Sequence, residues 1–534
     1  MDLSSSSSTM LFSKPRCCIF LLFTCTTLQL LLFRLIEGLT TAPFWSQDVH
    51  SSLPFSTYQF SPYLSSLQHS HYEAESAFKA GYAVEETVSR DLVRYDNYTG
   101  DVYGIIIDAG STGTRLSAFR FVKSLRPPYM RLVAECGKHL KPGLSYYAAI
   151  PDMVYENVKP LIARALECIP QYLWSKTPLE LKATAGLRLL PAYIQERLLD
   201  NVKAYLESNS PFVLSHDESI SIMEGIDEGL YSWITVNYLL DTLHHKYECD
   251  DDLEHEQSFR RMMRKETLKK QTVGTLDLGG GSMQITFVPM YDFTCNNAPK
   301  EYLHHVRIFG ERLTLYSWSY LGFGLMSARM QMFGFPLETP GEDVQLTNNH
   351  LTSPCFHPEV EVKWQHASTD FIVTTPKEAV PDSRFERCYS RAVEIVSLQI
   401  HHESEVHKET FYAFSYFYDI AVDAGIIPHV AGGEIKVGVF REKAKQVCDN
   451  EKVPDKAFLC MDLSYISALL MDGFGFGEHQ DMMLQKKING VETSWALGAM
   501  FHLLNTFHNT SQLELAQRPS YNPDKKSLAL RCRS

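Results

Sequence analysis

Positive charge is scarce in this chain, and its scarcity bears on the choice of partner. The 534 residues include 50 lysines and arginines against 63 aspartates and glutamates, a formal net charge of −13. Nucleic acids are bound by basic surfaces that neutralise their phosphates, and no basic surface dominates here. The composition therefore argues against nucleic acid as a partner.

Cysteine pairs of the Cys-x-x-Cys type are absent, so the sequence gives no support for a zinc site. Of the 12 cysteines, Cys17, Cys18 and Cys25 lie in an apolar segment near the N-terminus. The others are odd in number, so at least one is expected to stay free or to pair between chains: Cys136, Cys168, Cys249, Cys295, Cys355, Cys388, Cys448, Cys460 and Cys532.

Long apolar runs are also lacking, with one exception. Residues 17–33 are uncharged and rich in Leu, Phe, Ile and Cys, and Lys14 and Arg16 precede them. This run is at the short limit for a bilayer span, and the preceding basic residues favour a cytosolic N-terminus. We expect a cytosolic segment over residues 1–16 and a signal anchor over 17–36. A cleaved signal peptide is the alternative, although no clear Ala-x-Ala site follows.

A chain translocated behind such an anchor reaches an oxidising lumen, where cysteines form disulfide bonds. Asn97 and Asn509 each begin an Asn-x-Ser/Thr sequon and are predicted glycosylation sites. Residues 37–102 include a stretch rich in Ser, Tyr, Gln and His without helical or strand periodicity, which predicts a stem. The globular body is expected to start near Tyr103.

Two segments of the body carry nearly the same pattern. In residues 104–114 and again in 274–282, an apolar run ends in an aspartate and is followed by a glycine turn that contains hydroxyl side chains. An alternating apolar tail follows each turn, so each copy is predicted to be a strand–turn–strand hairpin. The two aspartates, Asp108 and Asp277, are separated by a domain-sized stretch of chain rather than by the short period of a solenoid repeat.

The composition of the two turns indicates phosphate binding. Glycine lets backbone N–H groups approach an anion closely, serine and threonine add donors, and an aspartate at a strand end can hold a hydrated divalent cation. Two ordinary glycine turns are the alternative, but the duplication favours a pair of phosphate loops. These loops comprise Ser111, Thr112, Gly113 and Thr114 in one copy and Gly279, Gly280, Gly281 and Ser282 in the other.

Strands and helices alternate within two halves, each headed by one hairpin. This predicts an α/β fold of two similar lobes with a nucleotide in the cleft, the plan of the actin-like, ribonuclease-H-like superfamily. Lobe I is predicted to span residues 103–220 and to be completed by a C-terminal helix over 491–510, and lobe II to span 221–490. The charge-dense residues 244–271 are expected to form a solvated loop, with a basic partner-binding patch as the alternative.

Five blocks, in order, resemble the apyrases, or nucleoside triphosphate diphosphohydrolases, and the resemblance covers about residues 103–504. The blocks are residues 108–115, 183–188, 224–229 with 233–238, 277–285, and 495–498. Within that family, residues 319–324, 411–418 and 460–463 are most similar to the secretory-pathway nucleoside diphosphatases, types five and six.

This resemblance implies roles for the acidic residues. Asp108 and Asp277 would bind Mg²⁺ or Ca²⁺ through water, since Mg²⁺ usually keeps several water ligands; capping a turn is their alternative role. Glu228 would be the general base that activates the attacking water, with Asp227 as its structural neighbour. An acidic residue in the first turn of a helix otherwise serves only to compensate the helix dipole.

The remaining implied site residues surround the phosphate loops. Ser282 and Gln284 would orient the water, and Thr184 would line the cleft. Arg115 would neutralise charge in the transition state or, as the alternative, form a surface ion pair. Tyr418 would stack against the base, because stacking accepts any base through its π-face; most of the aromatic run at 411–418 is expected to be core.

Two further expectations come from the resemblance. The family usually has threonine at position 283, and Met283 lies on a predicted strand between two polar neighbours, so we expect it to pack behind the loop. The resemblance also suggests the disulfide bonds Cys355–Cys388 and Cys448–Cys460, which spacing alone could not choose. Cys136, Cys168, Cys249, Cys295 and Cys532 remain unassigned.

The implied function is divalent-metal-dependent hydrolysis of the terminal phosphate of nucleoside diphosphates, with UDP and GDP preferred over triphosphates. A single-pass type II protein of the Golgi or endoplasmic reticulum lumen would support glycosylation in this way, with secretion as an additional destination. A monomer or weak oligomer is expected. A broad-specificity surface apyrase acting on ATP and ADP is one alternative. A lumenal nucleotide-binding protein without catalysis is another, and it would not need Glu228.

Overall fold

A computed structural model describes residues 98–124, 130–243, 272–308, 311–337, 349–358, 360–366, 369–376, 383–450 and 456–505. The predicted signal anchor, nearly all of the predicted stem, residues 244–271, both sequons' asparagines, Cys249 and Cys532 lie outside these ranges. Within the described ranges, no helix combines the length and the apolar character that crossing a bilayer requires.

The N-terminal half is built on a five-stranded sheet in the order β3-β2-β1-β4-β5. The first three strands are antiparallel and the last two run parallel to β1. The strands are β1 (Tyr98–Ala109), β2 (Thr114–Ser124), β3 (Met130–Leu140), β4 (Leu179–Ala183) and β5 (Ile220–Ile222). The helices between them are α1 (Tyr155–Cys168), the single turn α2 (Ala185–Arg188) and α3 (Ala192–Asn209).

The other half repeats this topology in a larger sheet. Its order β14-β15-β13-β6-β7-β9-β8 contains the same arrangement, with β6, β7 and β9 antiparallel and β13 and β15 parallel to β6. These strands are β6 (Gly274–Leu278), β7 (Ser282–Phe287), β8 (Leu303–Ile308), β9 (Glu311–Leu321), β13 (Phe411–Ser415), β14 (Gly433–Lys436) and β15 (Asp481–Leu484). The predicted α/β class with two similar halves is confirmed.

Smaller elements complete this half. A three-stranded sheet consists of β10 (His350–Thr352), β11 (Val362–His366) and β12 (Thr369–Thr374), and a two-stranded hairpin of β16 (Lys487–Ile488) and β17 (Val491–Glu492). The helices are α4 (Gly225–Leu239), α5 (Asp292–Asn297), α6 (Leu325–Met332), α7 (Arg384–Val396), α8 (Tyr416–Asp423), α9 (Val439–Cys448) and α10 (Leu459–Ala468), and α11 covers residues 496–505.

Alternation along β1 explains why its sheet is covered on both faces. Ile105 and Ile107 pack into a core with α1 and α3, whereas Ile106 belongs to a second core with Trp233 of α4 and Met500 of α11. Successive side chains of a strand point to opposite faces, so a continuous apolar run is what a doubly covered strand requires. Packing on both faces therefore fixes the position of the end of β1, where Asp108 follows Ile107 and precedes the last strand residue, Ala109.

The C-terminal helix differs from its predicted extent of residues 491–510. Val491 and Glu492 are extended and pair with β16, because Asn489 and Gly490 adopt positive φ angles of 52° and 81° that form a tight turn. The helical residues described begin at 496. Helix α11 contacts both halves: Phe501 packs on Phe121 of β2, with ring centroids 5.6 Å apart, and the Gly498 N–H donates to Thr235 Oγ1 of α4 at 2.9 Å. The division into lobes at residue 220 stays a prediction.

Disulfide bonds join Cys355 to Cys388 and Cys448 to Cys460, the two pairings that the family resemblance suggested. A third bond joins Cys136 of β3 to Cys168 at the end of α1 and was not anticipated from the sequence. It ties the edge strand of the first sheet to the helix that covers that sheet.

Two buried glutamates, Glu405 and Glu409, directly precede β13 in the chain. Glu405 is 3% exposed and accepts the backbone N–H of Met290, and the side chain of Glu409, 8% exposed, hydrogen-bonds to Glu405. Burial and the neighbouring Glu405 raise the pKa of Glu409 to about 8. An unfolded glutamate has a pKa of about 4.3, so above that pH the unfolded chain loses a proton that the folded chain keeps.

We predict that this pair makes stability fall as the pH rises. The stabilising contribution is complete below about pH 4.3 and is lost as the pH rises through the folded pKa. Glu409→Gln keeps the hydrogen bond without an ionisable group, so its Tm should increase relative to wild type between pH 5 and pH 8. Thermal unfolding over this range checks the prediction, with the exposed Glu394→Gln as the control. If the difference in Tm between Glu409→Gln and wild type were the same at every pH, the prediction would be contradicted.

Candidate functional site

The two predicted phosphate loops meet in the structure. A Cβ atom at Gly280 would lie 2.9 Å from Cγ2 of Thr112 and closer still to Oγ of Ser111. A Cβ at Gly186, in the turn after β4, would lie 2.6 Å from Cα of Ser111. Such approaches are possible only for glycine, because real Cβ atoms keep a larger separation. The hairpin turns that the sequence predicted separately therefore form one site.

Backbone hydrogen bonds hold the second loop against helix α6. The N–H groups of Leu325 and Met326 donate to the carbonyl oxygens of Gly279 and Gly280, each at 2.9 Å. The Gly279 N–H donates to the Ser282 carbonyl at 3.0 Å and closes the hairpin turn. The first turn of α6 therefore fixes the position of this loop.

Asp108 stands opposite Arg115 in the β1–β2 ladder, one residue before the end of β1. Its Oδ1 is buried and has no hydrogen-bond partner, and its carboxylate is hydrogen-bonded by the side chain of Trp495. Burial raises the pKa of Asp108 to about 7, the Arg115 guanidinium opposes this shift, and the carboxylates of Asp277 and Glu492 add to it.

Asp277 occupies the equivalent position on β6 and is 6% exposed. Ser232 of α4 donates to its Oδ2 at 3.4 Å, and the Ser415 side chain also hydrogen-bonds to it. Burial raises the pKa of Asp277, and these two hydroxyls together with Arg115 oppose that shift. Ser415 has φ 58° and ψ −126°, a strained conformation for a residue with a Cβ, and such strain is concentrated at functional sites.

The carboxylates fit a hydrated divalent cation. Among the described residues, no group of three or more His, Cys, Asp or Glu side chains could enclose a metal ion. Two aspartates at the loop junction, with the unpartnered Oδ1 of Asp108 and the buried, unpartnered Oγ1 of Thr114, instead offer a few oxygen ligands. Mg²⁺ and Ca²⁺ prefer oxygen, and Mg²⁺ fills its remaining positions with water.

Glu228 lies in the first turn of α4, which begins at Gly225, and it is 7% exposed. Its Oε2 accepts a hydrogen bond from Arg188 of α2 and lies 3.1 Å from Nε2 of Gln284. Burial raises the pKa of Glu228 to about 7, Arg188 opposes the shift, and the carboxylates of Asp277 and Asp108 add to it. The Glu228 carboxylate therefore contacts specific side chains, in addition to any interaction that it has with the dipole of α4.

Gln284 connects Glu228 to the second loop. Its Nε2 lies 2.7 Å from Ser282 Oγ and 2.9 Å from Ser319 Oγ, in addition to its contact with Glu228. Met283, between Ser282 and Gln284, is fully buried in the core on the opposite face of the strand, so the expectation that it packs behind the loop is confirmed. The methionine at position 283, where the family usually has threonine, therefore leaves the polar face of β7 intact.

Arg115 and Thr184 border the same junction. Arg115 is half-buried, and although burial opposes its charge, the carboxylates of Glu492, Asp108 and Asp277 raise its pKa. These site carboxylates favour a role at the junction over a surface ion pair. Thr184 is buried directly after β4, and its N–H donates to the Ala109 carbonyl at 3.2 Å.

Tyr418 is not placed to stack against a base in this structure. Its ring is 2% exposed, and its hydroxyl donates to the His429 carbonyl. The reason is helical geometry: α8 starts at Tyr416, so Tyr418 turns into the core, whereas Tyr416 is half-buried and hydrogen-bonds to Thr112 of the first loop.

Several residues of the site had no predicted role. Arg188 and Trp495 lie in two of the sequence blocks that resemble the family, so the resemblance could have identified them as site residues. Ser319, Ser415 and Tyr416 reach the site only because β9 and β13 lie on either side of the β6–β7 hairpin.

Comparison with known proteins agrees with this geometry. A family model described as the GDA1/CD39 (nucleoside phosphatase) family matches residues 96–516. The chain belongs to this family. It is 42% identical over 407 residues to the human nucleoside diphosphate phosphatase ENTPD5, covering 76% of this chain and 88% of that protein.

Two other similar proteins complete the comparison. Human ectonucleoside triphosphate diphosphohydrolase 6 is 42% identical over 410 residues, covering 76% of this chain and 78% of the relative. A nucleoside triphosphate hydrolase from Neospora caninum aligns in structure with a TM-score of 0.48 and 15% identity, over 80% of this chain and 96% of that chain. The predicted resemblance and the predicted hydrolase class are confirmed.

We predict that contact between the loops is essential for catalysis. In Gly280→Ala the added methyl group would overlap Ser111 and force the two loops apart. A misplacement of about 1 Å can cost roughly 10²-fold in rate, so phosphate release should fall by about that factor. Gly477→Ala is the matched control, because no atom lies within 4 Å of its Cβ. Steady-state phosphate release measures the effect on activity, and the Tm of each variant shows whether it is folded. Equal activity of Gly280→Ala and Gly477→Ala would refute the prediction.

Proposed function

We propose that this chain hydrolyses the terminal phosphate of nucleoside diphosphates in a reaction that depends on Mg²⁺ or Ca²⁺, with UDP and GDP preferred over triphosphates. The observation that carries the proposal is the convergence of both glycine loops on Asp108, Asp277 and Glu228, where Asp108 Oδ1 is buried without a partner. Buried carboxylates at such a point require a cation or a proton. The similarity to the human relative named nucleoside diphosphate phosphatase supports the choice of diphosphates.

Each part of the site has a role in phosphoanhydride hydrolysis. The backbone N–H groups and hydroxyls of the two loops bind the phosphate oxygens, and Arg115 adds positive charge on the same side. Asp108 and Asp277 would hold a divalent cation through water, and the cation would supply further charge neutralisation when bound. Ser282 and Gln284 orient the attacking water toward the phosphorus.

Glu228 accepts the proton of that water. A general base works best with a pKa near the operating pH, and burial brings the pKa of Glu228 to about 7. Arg188 and Gln284 both contact its Oε2 and hold the carboxylate in one orientation. A lumenal nucleotide-binding protein without catalysis would need no such group.

The proposed cellular setting is the lumen of the Golgi or endoplasmic reticulum. Three disulfide bonds within the described residues support an oxidising compartment. There the enzyme would remove the nucleoside diphosphate left by glycosyltransferases and thereby support glycosylation. The alternative is a broad-specificity apyrase that acts on ATP and ADP at the cell surface or after secretion.

The substrate preference is tested by phosphate release from UDP, GDP, ADP and ATP with purified protein. We expect the fastest release from UDP or GDP and loss of release after EDTA treatment, because neither glycine loop contains a lysine or arginine that could replace the cation. Restoring Mg²⁺ or Ca²⁺ should restore activity. Hydrolysis of ATP at least as fast as UDP would favour the apyrase alternative.

The role of Glu228 is tested by Glu228→Gln, which keeps size and polarity but cannot accept a proton. Because base catalysis contributes roughly 10²–10⁴-fold, kcat should fall by about that factor while binding of metal and nucleotide is retained. Asp227→Asn, at the neighbouring half-buried carboxylate, is the control and should retain most activity. A Glu228→Gln enzyme with near-normal kcat would remove Glu228 as the base.

A further inference from the structure

The junction between β13 and α8 contains a serine in a conformation that serine rarely adopts. Ser415 is the last residue of β13 and directly precedes α8, with φ 58° and ψ −126°. Glycine adopts such angles easily because it has no Cβ, whereas other residues are strained there. Within the described residues, positive φ at a non-glycine position occurs elsewhere only at Asp241 and Asn489, whose side-chain types tolerate it. Glycine would therefore fold more easily at position 415, and the serine side chain requires a separate explanation.

The strand register shows where the side chain of an extended Ser415 would point. Strand β13 is parallel to β6, with Phe414 beside Asp277 and Ser415 beside Leu278. Leu278 and Ala413 belong to the core on one face of this sheet, and Phe414 belongs to the core on the other face. Because successive side chains of a strand alternate between faces, a regular Ser415 would point into the core that contains Leu278 and Ala413. Asp277 lies on the opposite face, where a hydroxyl of α4 donates to it.

The positive φ instead brings the Ser415 hydroxyl to Asp277. The Ser415 side chain hydrogen-bonds to the Asp277 carboxylate, although the alternation of side chains along β13 would place the two on opposite faces. A sharp, strained turn from strand to helix projects its serine beyond the end of the sheet. The hydrogen bond and the strained backbone therefore depend on each other, because an unstrained Ser415 would not present its hydroxyl to this carboxylate.

The residues on both sides of Ser415 hold the strained turn in place. Phe414 is 1% exposed and Phe417 is fully buried, and the two rings pack into the cores on opposite faces of the sheet. Tyr416 hydrogen-bonds to Thr112 of the first phosphate loop. A strained conformation persists only when the surrounding structure over-determines it. These three contacts supply that constraint.

We propose that Ser415 is a positioning residue for the divalent cation: its strained backbone directs the hydroxyl to Asp277, and the hydrogen bond keeps this carboxylate in one orientation toward the cation. The proposal rests on the proposed function, which assigns a cation to Asp108 and Asp277. Partners that hydrogen-bond to a metal-binding side chain orient it, and their loss typically lowers metal affinity by roughly 10–100-fold. The Ser232 hydroxyl is a weaker partner of Asp277, because its distance of 3.4 Å is long for a hydrogen bond.

Two substitutions at this position separate the hydroxyl from the backbone strain. Ser415→Ala removes the hydroxyl and keeps the strained Cβ, whereas Ser415→Gly removes both. When Ca²⁺ is titrated calorimetrically into the nucleotide-free full chain, its Kd should rise about 10-fold in both variants. Without metal, the Tm of Ser415→Gly should exceed that of Ser415→Ala by about 2 °C or more, because only the glycine variant is relieved of strain. Ser415→Gly also provides a reading if Ser415→Ala does not fold.

A matched control and a second measurement separate this role from a structural one. Asp241→Gly relieves a positive φ at an exposed residue after α4 and should leave the Kd of Ca²⁺ unchanged. In UDP hydrolysis, the Mg²⁺ concentration that gives half-maximal activity should rise about 10-fold in Ser415→Ala. The kcat at saturating Mg²⁺ should return to nearly the wild-type value, because the substitution lowers only the occupancy of the cation.

Three results would overturn the proposal: an unchanged Kd of Ca²⁺ in both Ser415 variants, a Tm of Ser415→Gly no higher than that of Ser415→Ala, or a low kcat of Ser415→Ala that saturating Mg²⁺ does not restore. Failure of the proposed function is recognised separately. In that case the wild-type protein would bind Ca²⁺ with a Kd that depends on Ser415 but would release no phosphate from UDP or GDP.

Discussion

The burial of three carboxylates at the junction of two glycine turns is the constraint to which the rest of the site is adapted. Removing a carboxylate from water is costly unless a cation, a proton or hydrogen-bond donors compensate it. Asp108, Asp277 and Glu228 receive such partners from separate parts of the chain. Arg115 faces the two aspartates, Arg188 contacts Glu228, and hydroxyls of α4 and β13 reach Asp277.

The repeated strand order explains how such a junction arises from one chain. In each half the hairpin strand that carries an aspartate as its last residue but one lies at the centre of a sheet. The strand is covered on both faces, so packing fixes the position of its end. Because the turns contain glycine, the backbone of Gly280 in one turn can lie against the side chains of Ser111 and Thr112 in the other. The same junction contains an unpartnered oxygen on Asp108 and a strained backbone at Ser415, and such strain is concentrated at functional sites.

Beyond the loops, the same geometry extends outward along two helices. Helix α6 is hydrogen-bonded to one loop and α8 to the other, and side chains one turn further along each helix line a cavity. Tyr416, at the start of α8, hydrogen-bonds directly to Thr112 of the first loop.

The sequence by itself determined the local elements and their chemistry. Period-two apolar tails, aspartates near strand ends and glycine–hydroxyl turns are short-range patterns. They predicted both hairpins, the two aspartates that we propose hold a metal ion, and the two loops that we propose bind phosphate. Only the tertiary structure decided which distant groups meet them, because β9 and β13 lie on either side of the β6–β7 hairpin through sheet order and not through spacing. The tertiary structure alone brought Ser319 and Tyr416 into the site, and it buried Tyr418, since a shift of two positions on a helix turns a side chain from the cleft into the core.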